Sequence, residues 1–321
     1  MKRILLSNKY VNEPFEIIKT VTPEGFELIM LDEVCQEDLV EKAFQADYIL
    51  ASGRLRISRQ VLDRAEKLKM IQRTGVGLDS LDLEEITARK IPLYVNRGVN
   101  AKSVAEHAVL LMLACVRKLM IMNENTKSGI WKKQSQGVQT RELGSQTVGI
   151  IGMGNIGMQT AAILNAFGAK ILYYSRHRMD AENEQKLHST YVELDELFQK
   201  SDIISLHCPL AKETEGLICK ESLERMKDGA ILINTARGKL IKETDLIEAL
   251  QRGKISFAAL DVYEQEPTDN HTLLTMENVI ATPHIGGITY DSFYAMMQDA
   301  MRNIAFFEEG KFQEIEKYRF N

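Results

Sequence analysis

The chain has 321 residues, 45% hydrophobic and 26% charged, a length and balance that suit two globular domains and exclude a disordered chain. A formal net charge of -5 excludes the basic footprint of a nucleic-acid binder. No apolar run is long enough to span a membrane, the apolar stretch in Met1 to Leu6 is too short for a secretory leader, and Cys35, Cys115, Cys208 and Cys219 form no CxxC pair, so a cytoplasmic protein with free thiols is expected.

Arg3 to Ser7 and Phe26 to Leu31 read as short buried strands, with helical residues from Cys35 to Gln45 after the second. Tyr48 to Ala51 is a third strand, Ser58 to Ala65 a helix with Ser58 as its N-cap, and Met70 to Arg73 a fourth strand that runs into Thr74-Gly75-Val76-Gly77. Alternation of this kind implies a parallel sheet. Ala101 to Lys118 is almost continuously apolar, so it is expected to be buried on nearly all sides. Asn123 to Gln139 is polar, holds the only tryptophan, Trp131, and reads as an arm or an exposed connection.

A second series follows. Thr147 to Ile151 is a strand, then a helix reaches Phe167, and Lys170 to Tyr174 is the next strand. Leu194 to Gln199 is a helix, and Ile203 to Leu206, Ile231 to Asn234, Phe257 to Asp261 and Val279 to Ala281 are strands. Tyr290 to Glu309 is a closing helix. The two series predict an α/β chain with two Rossmann-like domains on parallel sheets.

Between the first strand and helix of the second series stands Gly152-Met153-Gly154-Asn155-Ile156-Gly157. The first glycine permits a tight turn, the second lets a pyrophosphate approach the backbone, and the third lets helix and strand pack closely. The phosphates would sit on the positive end of the helix, and the strand-loop-helix setting makes a dinucleotide the expected ligand rather than a bare glycine turn. The next strand selects between cofactors, because a carboxylate at its end binds the ribose 2′-hydroxyl of NAD and an arginine accommodates the 2′-phosphate of NADP. It ends in Tyr174-Ser175-Arg176-His177-Arg178, without a carboxylate, so Ser175, Arg176 and Arg178 predict NADP(H), with NAD(H) as the other cofactor if this turn is only a solvated basic surface.

Three later segments each follow a strand: Thr235-Ala236-Arg237-Gly238, Asp261-Val262 through Glu266-Pro267, and Thr282-Pro283-His284-Ile285-Gly286-Gly287. Ligands of open α/β sheets bind outside the carboxyl ends of strands, so Arg237, Glu266 and His284 can converge. Reduction of a 2-keto acid needs a proton donor for the carbonyl oxygen, which a histidine supplies. A carboxylate beside it orients the ring and favours its protonated form, and an arginine binds the substrate carboxylate and polarises the carbonyl.

On these motifs the sequence resembles the D-isomer-specific 2-hydroxyacid dehydrogenases over essentially its whole length. The resemblance implies that Arg237 binds substrate, that Glu266 rather than the nearby Glu264 partners the histidine, and that His284 is the acid and base. It implies a substrate carboxylate site at the backbone of Val76 and Gly77, with Arg54 a further substrate contact. Val104, Cys208, Pro209, Thr235, Ala236, Asp261 and Gly286 would join the glycine loop in contacting the cofactor. The departure is Ser175, where most NAD-using members carry Asp.

By the same resemblance the substrate domain is flavodoxin-like and discontinuous, residues 1–98 with 289–321, and residues 99–288 bind the dinucleotide. Two hinges between them would close the cleft over substrate. A homodimer joined through the cofactor domain is implied. The expected partner is a small 2-keto or 2-hydroxy acid, with no nucleic acid, membrane or metal. The leading expectation is an NADPH-preferring glyoxylate or hydroxypyruvate reductase. D-3-phosphoglycerate dehydrogenase, for which Arg54 could bind a phosphate, and a dinucleotide-sensing scaffold of the corepressor type are the alternatives. A formate dehydrogenase would place Gln at Glu266. Of the other histidines, His107 reads as a core or interface residue, and His207 as a neighbour of the adenine pocket.

Overall fold

The computed structural model describes residues 1–321, which divide into two compact units: Met1–Asn100 with Thr289–Asn321, and Ala101–Ile288. The first series of strands is β1 (Lys2–Leu6), β2 (Phe26–Ile29), β3 (Tyr48–Ala51), β4 (Met70–Arg73) and β5 (Leu93–Val95). Its helices are α1 (Glu13–Val21), α2 (Gln36–Lys42), α3 (Arg59–Arg64) and α4 (Leu83–Ala88). The expected helix from Cys35 to Gln45 is shorter, because Cys35 is the N-cap and Ala43–Gln45 tightens into a 3-10 turn. Ser58 takes the N-cap position of α3, but its hydroxyl makes no capping bond and instead accepts from Gln36 Nε2 at 3.3 Å.

The second unit begins with α5 (Ala101–Val116), α6 (Leu119–Lys127) and α7 (Lys133–Gly137). The stretch around Trp131 is thus partly helical, and Trp131 itself is 80% exposed. Then come β6 (Thr147–Ile151), α8 (Asn155–Ala166), β7 (Lys170–Tyr174), α9 (Ala181–Lys186), β8 (Ser189–Tyr191) and α10 (Leu194–Lys200). The unit continues with β9 (Ile203–Leu206), α11 (Lys220–Arg225), β10 (Ala230–Asn234), α12 (Glu243–Gln251), β11 (Ile255–Leu260), α13 (His271–Leu274) and β12 (Val279–Ala281). Finally α14 (Tyr290–Glu308) and α15 (Phe312–Ile315) complete the first unit. No helix is long and apolar enough to cross a membrane.

Every strand pairing is parallel. The first sheet has the order β2-β1-β3-β4-β5, the flavodoxin-like order expected, and the second has β12-β11-β10-β9-β6-β7-β8. Both sheets are buried on both faces, which is why their strands read as apolar runs rather than as alternations. In the second unit Ile150, Ile171, Ile203 and Ile233 face α5 and α8, whereas Leu172, Ile204, Leu206 and Leu232 face the opposite core with Leu223 and Leu246. The order reverses between β6 and β9, and it is there that the turn after β6 opens.

In the first unit α14 buries Met297, Ala300, Met301 and Ile304 against Ile4, Leu6, Leu50 and Met70. Its end is fixed by Glu308, which accepts from the Tyr48 hydroxyl and pairs with Lys2 and Lys69 at 2.9 Å each. Burial raises the pKa of Glu308, but these bonds outweigh it and bring the carboxyl down to about 2. A depressed carboxyl stabilises the fold above its unfolded value and loses that contribution as pH falls through the folded one. Glu308→Gln is therefore expected to lower the melting temperature at neutral pH, with the gap from wild type closing as pH falls toward about 2. A pH series of thermal melts checks this, and a gap independent of pH would refute it.

Candidate active site

The turn after β6 is built for close approach. Gly152 has φ 99°, and a Cβ there would lie 2.5 Å from the Cys208 backbone nitrogen, at the end of β9. A Cβ on Gly157 would lie 2.2 Å from the Gly152 carbonyl, so helix α8 can pack on its strand only with glycine there. Gly154, the N-cap of α8, has open space where its side chain would be. Asn155 and Ile156 follow as the first residues of this 12-residue helix, whose amino end attracts negative charge. Two buried polar atoms nearby have no protein partner: His207 Nδ1, just past β9, and Thr235 Oγ1, just past β10. Burial lowers the His207 pKa to about 4, so the ring is neutral. A tight glycine turn, a helix amino end and unpartnered polar atoms beyond neighbouring strands fit a polar dinucleotide.

At the end of β7 the structure separates the two arginines. Arg178 forms a bidentate pair with Glu184 at 2.8 and 2.9 Å, and its guanidinium lies over the Tyr191 ring. The bonds from Arg178 and the Tyr173 hydroxyl hold the Glu184 carboxyl at about 2. Arg178, expected as a phosphate contact, has its Nε and Nη2 engaged by Glu184 of α9 in this structure. Arg176 is exposed and takes no part in that pair, beside a half-buried Ser175.

Beyond β10, Asn234 shapes the turn that carries Arg237. Its side chain accepts from Ala236 N at 3.0 Å and donates to Arg237 O at 2.9 Å. Gly238 lies directly on the next strand-end segment, where a Cβ would fall 1.8 Å from the Tyr263 carbonyl carbon. That segment holds both candidate glutamates. Glu264 Oε1 accepts from Glu243 N at 2.9 Å, and Glu243 Oε1 accepts from Glu264 N at 2.8 Å, so Glu264 braces the start of α12.

Glu266 instead meets His284: Oε2 is 2.7 Å from Nδ1, and Oε1 accepts from Tyr263 N at 3.1 Å. Burial raises the Glu266 pKa, but the histidine bond and charge, with Arg237 nearby, bring it below its ordinary value. An ionised carboxylate only accepts, so the proton between them sits on Nδ1 and leaves Nε2 for other chemistry. The His284 side chain is 50% exposed. Its backbone has φ 54°, a left-handed conformation that costs a non-glycine residue about 1–3 kcal/mol and persists only where surroundings impose it.

Those surroundings centre on Asp261, just past β11. Its Oδ1 accepts from Thr282 Oγ1 at 2.6 Å and Ile285 N at 2.9 Å, and its Oδ2 accepts from Gly286 N at 2.8 Å. A Cβ on Gly286 would lie 2.9 Å from Asp261 Oδ2 and 3.1 Å from His107 Cδ2, so both side chains would have to shift to admit it. Its N–H is therefore spent on Asp261, which sets it apart from the other glycines expected to meet the cofactor. Val104 is buried one turn before His107 on α5. Cys208 packs beside Leu206, Pro209 O accepts from Thr214 Oγ1, and burial pushes the Cys208 thiol up to about 11, unsuited to a nucleophile.

In the other unit, Arg54, Val76 and Gly77 lie beyond the carboxyl ends of β3 and β4, with Arg54 and Val76 exposed. Sequence reasoning passed over Arg73, the buried last residue of β4. Its Nε donates to Gly77 O at 2.7 Å and its Nη1 to Ala51 O at 2.9 Å, which ties the turn after β4 to the end of β3. A charged residue closing an otherwise uncharged buried strand was the available signal. Ser7 Oγ accepts from Ser52 N at 2.8 Å where this sheet reverses order.

Residues 109–286 match the family described as D-isomer specific 2-hydroxyacid dehydrogenase, NAD binding domain. A hydroxypyruvate reductase of Thermotoga maritima is 38% identical over 88% of this chain and 92% of its own. A glyoxylate reductase of Thermococcus litoralis is 38% identical over 85% of this chain and 84% of its own. The crystal structure of a D-lactate dehydrogenase from Aquifex aeolicus, complexed with NAD and lactic acid, superposes with a TM-score of 0.87 at 30% identity, over 99% of this chain and 98% of that one. The chain belongs to the D-isomer-specific 2-hydroxyacid dehydrogenase family and is an oxidoreductase that works with a nicotinamide dinucleotide.

Proposed function

We propose that the enzyme reduces small 2-keto acids, glyoxylate and hydroxypyruvate first among them, with NADPH as the preferred cofactor. The observation that carries the reaction is the 2.7 Å pair of His284 Nδ1 and Glu266, set among strand-end turns of one sheet. The names of the relatives support the substrates, as do the small residues Ser52, Gly53 and Gly77 beyond β3 and β4.

Residues 152–157 would hold the pyrophosphate on α8, and Ser175 with Arg176 the 2′-phosphate. When bound, the dinucleotide supplies the hydride. Arg237 holds the substrate carboxylate and draws charge toward the carbonyl oxygen. His284 gives that oxygen a proton from Nε2, because Glu266 keeps Nδ1 engaged. The backbone of Val76 and Gly77, fixed by Arg73, offers a second anchor for the substrate, and Arg54 a third. Residues 1–100 with 289–321 serve as the substrate-binding unit in this reading.

NADPH preference rests on the absence of a carboxylate in Ser175 to Arg178 and on Arg176 standing outside the Arg178–Glu184 pair. Arg176→Asp is expected to lower kcat/KM for NADPH by about 10- to 100-fold and to spare NADH, since a charge-assisted bond is worth about 1.5–3 kcal/mol. The check is nucleotide oxidation with glyoxylate, hydroxypyruvate, pyruvate and 3-phosphohydroxypyruvate. Unchanged NADPH kinetics in the variant would make the turn a plain basic surface. Preference for the phosphorylated acid would move the substrate to phosphoglycerate-type chemistry.

A further inference from the structure

On α5, His107 is a titratable side chain turned into the protein that the mechanism leaves unused. His107 is 15% exposed, with Nε2 3.1 Å from Thr282 Oγ1 and 3.6 Å from Asp261 Oδ1. The direction of these bonds follows from the groups. Asp261, ionised, has only lone pairs to offer, so the single hydroxyl proton of Thr282 goes to it across 2.6 Å. The Thr282 oxygen must then accept from His107, which fixes the proton on Nε2. The result is a directed chain from His107 Nε2–H to the Thr282 hydroxyl to the Asp261 carboxylate.

Asp261 in turn holds the backbone on the far side of His284, through Ile285 N and Gly286 N, while Thr282 lies two residues before it. The histidine stands at the apex of this wrap with its left-handed backbone. The base of the wrap is α5, a long buried helix packed on α8 and on the strands β10 and β11. Sub-ångström placement of an acid or base is worth far more in rate than in stability, so a fixed second layer has a function here.

We infer that His107 is a positioning residue for His284: its Nε2–H, relayed by the Thr282 hydroxyl to Asp261, holds the 282–286 loop in the shape that presents the acid and base. This rests on the reading of His284 as that group. Loss of one such hydrogen bond corresponds to about a tenfold effect.

The test is a kinetic cycle with glyoxylate or hydroxypyruvate and the preferred nucleotide. His107→Phe, of similar size without the donor, is expected to lower kcat about tenfold and to leave the keto acid KM within about threefold. His107→Gln, whose amide nitrogen reaches the place of Nε2, is expected to restore kcat to within about threefold of wild type. In a His284→Ala background, His107→Phe is expected to have no further effect on residual turnover, because the group it positions is gone. Should His107→Phe fail to fold, His107→Asn replaces it, since its amide is too short to reach Thr282. If His284→Ala turns over at the wild-type rate, the reading of His284 fails and takes this inference with it. If His284→Ala is impaired but His107→Phe lowers its residual turnover by the same factor again, or Gln behaves like Phe, only the positioning role is overturned.

Discussion

Replacing His284 by asparagine is expected to lower kcat by about 10²- to 10⁴-fold while the keto acid KM changes little, the signature of a proton donor lost from the transition state. Asparagine keeps a polar group toward Glu266 but has no ring nitrogen that can shuttle a proton. Glu266→Gln should cost less, because glutamine can still accept from Nδ1–H but brings no charge to the pair. Steady-state kinetics, with nucleotide binding measured separately to show an intact cofactor site, decide the matter. A kcat within about threefold of wild type for His284→Asn would remove the histidine from the chemistry.

The second large effect is structural. Gly238→Ala places a Cβ 1.8 Å from the Tyr263 carbonyl carbon and 1.9 Å from its oxygen, backbone against backbone with no flexible side chain to yield. The segment that must move is the one carrying Glu264 and Glu266, already pinned by the reciprocal bonds with Glu243. The expected loss is about 4 kcal/mol or more, roughly 10 °C in melting temperature, at the extreme of what single substitutions do. Gly154→Ala is the matched control. Nothing lies within 4 Å of its Cβ position and its φ is -85°, so its nucleotide-free melting temperature should match wild type. Equal melting temperatures for the two variants would show that the 260s segment yields to the added methyl group.

The parts of the fold legible in the sequence were those whose signal is local. Met70–Arg73, Thr147–Ile151 and Ile203–Leu206 are runs buried on both sides, and they declare themselves without knowledge of their neighbours. β5 and β8 were not read as strands, and Ser189-Thr190-Tyr191 in β8 has no aliphatic side chain at all to mark it. The candidate-site motifs are local in the same way: each is a short strand-end turn.

What could not be read was which side chains pair with which. Arg178 looked as available as Arg176 until Glu184 closed on it. The family resemblance separates Glu266 from Glu264, but what occupies Glu264 is seen only in its bond with Glu243, 21 residues away. His107 passed as a core residue because its partner Thr282 lies 175 residues further along the chain. The charge pattern of a turn shows what a site could hold, and the neighbours decide which of those charges are still on offer.

The two-segment make-up of the first unit inverts the usual order of events on the ribosome. Its sheet is synthesised first, yet the face that α14 covers has only α1 to shelter it until residues 289–321 emerge. Synthesis of residues 101–288 intervenes, which at about 5–20 residues per second takes roughly 10–40 s. The continuous second unit can fold in that interval, so the part of the chain made first is the last to finish. Through that interval Ile4, Leu6, Leu50 and Met70 present an apolar surface to whatever is near the nascent chain. A transcript cut short before the codons of α14 would leave that surface open for the life of the product.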